Sequence, residues 1–78
     1  MATMDFSKVE EMLRGSVSRA IDAGFINGVI AAGVEFNCSE EDIASLLVKA
    51  QDTFGVNLDN GTEQQRAWIN RCIEEYGL

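Results

Sequence analysis

"SRAIDAGFINGVIAAGVEFNCSEED", residues 18–42, decides how this chain folds. It holds three of the seven glycines, Gly24, Gly28 and Gly33, set among small and aliphatic residues. Such glycines either cradle a ligand with their backbone or punctuate and pack helices. A phosphate loop needs Gly-x-x-x-x-Gly-Lys-Ser/Thr, so that N–H groups and a lysine surround the phosphates. Gly28 and Gly33 have the spacing, but Val34 and Glu35 follow, and a carboxylate there repels phosphate. The dinucleotide fingerprint Gly-x-Gly-x-x-Gly and its βαβ unit are also absent. Asn27-Gly28 between apolar residues is a hairpin signal. Its flanks are short, and Ala31, Ala32 and Gly33 are poor strand residues. The helical reading is therefore preferred.

Glycine followed by an apolar residue recurs at Gly24-Phe25, Gly33-Val34, Gly55-Val56 and Gly77-Leu78. This is the form of a C-terminal cap, in which glycine turns left-handed and the apolar residue folds back on the helix. Helix starts match these stops. Asp5 suits an N-cap, with Met4 and Val9 at the staple positions. Ser39 stands three residues before Asp42, with Cys38 and Ile43 at the staple positions and Glu40, Glu41 and Asp42 in the first turn. Thr62-Glu63-Gln64-Gln65 reads as a capping box. Apolar stripes follow each start: Phe6, Val9, Leu13, Val17, Ala20 and Ile21; then Ile43, Leu46, Leu47, Ala50 and Phe54; then Trp68, Ile69, Cys72, Ile73 and Tyr76. These signals predict an all-α fold: a small compact bundle of three long helices plus one short helix, at about 5–23, 26–32, 40–54 and 63–76. Residues 1–78 form a single helical domain.

The small residues Ser16, Ala20, Gly24, Gly28 and Ala32 lie four apart. Should the helix run on through Gly24, they form one stripe for close helix packing, within the fold or across a dimer.

Thirteen acidic against six basic side chains give a net charge of −7. That balance, with Lys8, Arg14, Arg19, Lys49, Arg66 and Arg71 scattered, argues against nucleic acid and anionic lipid as partners. The longest apolar stretch is interrupted by Asn27 and glycines, and the N-terminus lacks an apolar leader core. Neither a membrane span nor a signal peptide is expected. Cys38 and Cys72 read as reduced thiols of a cytoplasmic protein, Cys38 buried as a staple and Cys72 in the core.

The chain has no histidine, which removes imidazole acid–base catalysis and the Ser-His and Cys-His pairs. Two distant cysteines do not make a zinc site. "NLDNGTEQQ", residues 57–65, hints at a calcium loop, but Gly61 in its sixth position leaves Val56 first and Ala67 twelfth. No metal, cofactor or enzyme activity is expected.

Residues 43–59, "IASLLVKAQDTFGVNLD", resemble the second helix and following loop of acyl carrier proteins. The resemblance implies a four-helix acidic carrier whose phosphopantetheine sits on the serine of Asp-Ser-Leu. The matching region here reads Cys38-Ser39-Glu40, so the motif is degenerate or absent.

The preferred expectation is a small acidic, non-enzymatic protein-binding module of accessory or inhibitor type, of the kind bacteria and phages encode, acting through a helical surface as a homo-oligomer. A chain of 78 residues builds only a small core, which gains stability from a partner subunit. Trp68 is a candidate contact because tryptophan is enriched at interface hot spots, or else a core residue beside Ile69. Glu74 and Glu75 sit at a helix C-terminus that disfavours negative charge, which points to a basic partner surface or simply to solvent. Ala20, Gly24, Gly28 and Ala32 are the candidate packing residues.

Overall fold

The computed structural model describes residues 6–78; the expected N-cap at Asp5 and the staple residue Met4 lie outside them. Three α-helices, α1 (Phe6–Glu35), α2 (Glu40–Phe54) and α3 (Glu63–Tyr76), follow one another, with a 3₁₀ turn, η1 (Leu58–Asn60), between the last two. The fold is all-α with three long helices and one short one, as expected. The short one is elsewhere: residues 26–32 belong to α1, and η1 is the extra element.

The α1 helix runs without a break through Gly24, Gly28 and Gly33. The expected stops at Gly24 and Gly33 are therefore corrected, and the Asn27-Gly28 hairpin does not form. Its true stop is Asn37, left-handed at φ 57°. The Asn37 N–H bonds to Val34 O at 3.2 Å and the Cys38 N–H to Gly33 O at 2.8 Å. That pair of bonds is a Schellman cap, which asparagine closes when glycine does not. Gly33 serves instead as a point of close approach. A Cβ there would lie 2.5 Å from Ile43 Cγ1 and 2.6 Å from its Cδ1, so only glycine lets α2 come this near.

The other two caps form where expected. Gly55 is left-handed and ends α2, and Val56 folds into the core behind it. Gly77 ends α3 the same way, with the Leu78 N–H on Ile73 O at 3.0 Å. At the starts, the Ser39 hydroxyl accepts from the Asp42 N–H at 3.1 Å. Thr62 and Gln65 complete a reciprocal capping box, at 3.1 and 2.9 Å. Each bond satisfies an otherwise orphaned N–H, worth about 1 kcal/mol per cap.

The core gathers Ile26 from α1, Ile43, Leu47 and Ala50 from α2, Val56 and Leu58 from the linker, and Ile69 from α3. The η1 turn holds α1 through a polar bond: the Asn60 amide donates to the Asp22 carboxylate at 3.0 Å. Arg66 fixes the turn itself by donating to the carbonyls of Asp59 and Gly61 at 3.0 and 2.9 Å. A buried Asp22 needs such a partner, because an unpaired carboxylate out of water is expensive.

From Ser7 onward, Asp22 is also the first residue of α1 that the rest of the fold buries. Residues 7–21 are exposed apart from half-buried Gly15. The helix therefore divides into an outer half, 7–21, that overhangs and an inner half, 22–35, that docks. The molecule measures 58 × 24 × 23 Å and has a radius of gyration of 16.0 Å. A globular chain of this length would have about 11–12 Å.

Candidate functional site

Four-residue periodicity gives α1 two opposed apolar faces. Asp22, Ile26, Ile30 and Gly33 turn toward the other helices, and on the far side run two adjacent rows. One row is large: Leu13, Val17 and Ile21, exposed to 61, 56 and 64 %. The other is small: Ala20, Gly24, Gly28 and Ala32, all exposed. Continuity through Gly24 thus creates the stripe of small residues that the sequence allows. The fold does not use it internally: a Cβ at Gly24 or Gly28 would meet nothing within 4 Å. Between Val17 and Ala31 this outer face carries no charged side chain. Arg14 stands at its edge beside Leu13, paired with Glu10 at 2.6 Å.

The apolar stripe that the sequence places on the first helix, Val9, Leu13, Val17 and Ile21, is not covered by the fold. All four are exposed. Helical spacing identifies an apolar stripe but not what covers it. A sequence signal for this did exist. From Ala20 to Val34 only Asp22 and Asn27 are polar, so α1 is apolar nearly all round and asks for partners on more than one side.

Beside the outer face, α1 and α2 leave an open groove of about 680 Å³. Gly24, Gly28 and Ala32 line its α1 side, with Phe25, Phe36 and Leu46 as large walls. Phe36 and Leu46 are themselves exposed, as is Phe54, whose ring lies 6.4 Å from that of Phe25. Contiguous exposed apolar surface of this kind marks interaction sites. By length and composition Ser7–Glu35 is also long and apolar enough to cross a membrane, so Asn27 and the glycines do not interrupt it as expected.

The other expected contact residues lie on α3, away from this face. Trp68 is half-buried and packs on the core. Its indole N–H donates to Glu40 Oε1 at 3.4 Å, while Arg71 donates to the same oxygen at 3.1 Å. The indole and then the guanidinium hold the Glu40 carboxyl below its ordinary pKa. On physical grounds Arg71 is the stronger partner, being charged and closer. Trp68 therefore joins α2 to α3. Arg71 also pairs with Glu75 at 3.3 Å. Glu74 is exposed and has no ion pair among the described residues.

Cys72 is buried, and burial pushes its thiol pKa up, which leaves it protonated and unreactive. Cys38 is exposed, which corrects its expected burial: as the residue after Asn37 it closes a backbone cap with its N–H and turns its side chain outward. Both thiols are free. Among the described residues no three His, Cys, Asp or Glu side chains gather as metal ligands. Comparison with protein-family models, curated proteins and solved structures finds no match for this chain.

Proposed function

We propose that this chain is a non-enzymatic protein-binding module that works through the outer face of α1 and assembles with itself. The observation that carries this reading is the uncovered apolar row of Leu13, Val17 and Ile21 beside an equally uncovered row of small residues. The overhanging half of α1 continues a helix nucleated by its docked half but has no packed face of its own, and covering it adds the tertiary packing from which most helix stability comes.

Magnitudes set the strength to expect. Fully burying a leucine, valine or isoleucine is worth about 1.5–3 kcal/mol. With roughly half of each side chain still to bury, three residues from each of two copies supply about 5–10 kcal/mol. Association costs several kcal/mol in lost freedom, so the complex is weak and concentration-dependent.

Exposed Glu74 at the end of α3 offers a second, acidic contact for a basic surface on another protein. Free thiols and a buried, protonated Cys72 suit a reducing compartment, the cytoplasm. Ser39, on which the carrier resemblance turns, serves as the N-cap of α2, and that reading is not carried forward. Sedimentation over a wide concentration range tests the proposal. Masses rising above the 8.5 kDa of one chain support self-assembly, and 8.5 kDa throughout refutes it.

A further inference from the structure

We infer that the occupant of the outer α1 face is the same face of a second copy, laid antiparallel about a two-fold axis at the middle of the helix. This rests on the self-assembly reading and adds its geometry. The midpoint of α1 falls between Ala20 and Ile21. An axis there sets Ile21 against Ala20 of the partner subunit. It sets Val17 against the partner's Gly24, and Leu13 against the partner's Gly28. Each of these three large side chains meets a small or absent one, and the symmetry repeats each contact. The same axis brings the overhanging half of each helix to the docked half of the other.

Shifting the axis by half a turn keeps large residues against small ones but brings in less suitable pairs. Toward the C-terminus it sets Phe25, already packed on the core, against the partner's Ala20, and toward the N-terminus it sets Ile21 against the partner's polar Ser16. Both rows follow four-residue spacing, and ridges of that spacing interlock when helices cross at about −50°. The α2 helix flanks the small row across the open groove, so the partner subunit's Leu13 at Gly28 enters beside that groove and not against the inner face of α1. Glu10, Arg14 and Asp22 border the large row. Arg14 pairs with Glu10 and Asp22 accepts from the Asn60 amide, so each of these bordering charges keeps a partner when the face is covered. The contact is a strip about 10 Å wide and a few turns long. That is the low end of interface sizes, and it predicts dissociation no tighter than about tens of micromolar to millimolar.

Two sets of variants test the arrangement. The first carries Cys38→Ser with Val17→Cys and Gly24→Cys, alone and together, and is oxidised at high concentration. The antiparallel dimer links only the variant with both substitutions, because position 17 of one copy meets position 24 of the other and each position is too far from its own twin. Linking of either single variant shows a parallel pair and overturns the arrangement while leaving self-assembly standing. The second is Gly24→Leu with Gly28→Leu. Open space lies over both glycines, so the monomer keeps its fold by circular dichroism, and the mass returns to 8.5 kDa. A folded double variant that still dimerises overturns the register alone. A wild-type chain that stays at 8.5 kDa in solution overturns both proposals. The same holds if it assembles on neutral phosphatidylcholine vesicles only, which assigns the face to lipid.

Discussion

Alanine at Gly24 and alanine at Gly33 should move stability in opposite directions, although both sites lie in the interior of one helix. Glycine in a helix interior costs about 0.8–1.0 kcal/mol relative to alanine, through backbone entropy in the unfolded chain. At Gly24 nothing opposes that gain, because the added methyl meets no atom within 4 Å. Gly24→Ala should therefore stabilise by about 1 kcal/mol. At Gly33 the same methyl would sit 2.5 Å from Ile43 Cγ1, a branch atom that cannot swing aside without moving the whole buried side chain. Forcing an extra carbon into a packed site costs about 1–3 kcal/mol. Net of the helix gain, Gly33→Ala should destabilise by roughly 1 kcal/mol. The two variants then differ by about 2 kcal/mol, or roughly 10 °C in Tm for a chain of this size. Urea and thermal unfolding followed by circular dichroism at low protein concentration reads both numbers without the dimer contributing. Equal shifts of the same sign would refute the claim that Gly33 is a contact and Gly24 an opening.

Other outcomes follow from the α2–α3 seam and the helix ends. Glu40 has a lowered pKa, so its bonds contribute fully above the ordinary carboxyl value of 4.5 and are lost as pH falls through the folded value. Trp68, the sole tryptophan, should report this as a fluorescence change below pH 4.5 that Glu40→Gln removes; persistence in that variant assigns the change to another carboxyl. Glu74→Lys should raise stability by a few tenths of a kcal/mol at low salt, since it places a cation at a helix C-terminus. Glu75→Lys should not, because it breaks the pair with Arg71 and sets two cations four residues apart; equal gains in thermal melts would count against this distinction. Asn37→Gly should stabilise by up to about 1 kcal/mol, because the left-handed conformation strains any residue with a Cβ. A loss in chemical denaturation would show that the asparagine side chain contributes more than its backbone costs.

Local signals in the sequence determined much of this molecule. Ser39 and Thr62 start helices and Gly55 and Gly77 end them because each acts within its own turn, through bonds to backbone groups three to six residues away. The absence of histidine and the scattered charge limited the chemistry without any reference to shape. Tertiary structure decided the rest. Gly24 and Gly33 carry the same sequence signal as Gly55 and Gly77, yet α1 passes through them. The strain of a helical glycine is small, and docking against η1 and Ile43 outweighs it. Leu13, Val17 and Ile21 have the spacing of a core stripe, yet they face outward, because periodicity is a property of one helix and burial a property of two. The candidate surface became visible only when the fold showed which side of α1 it had left uncovered.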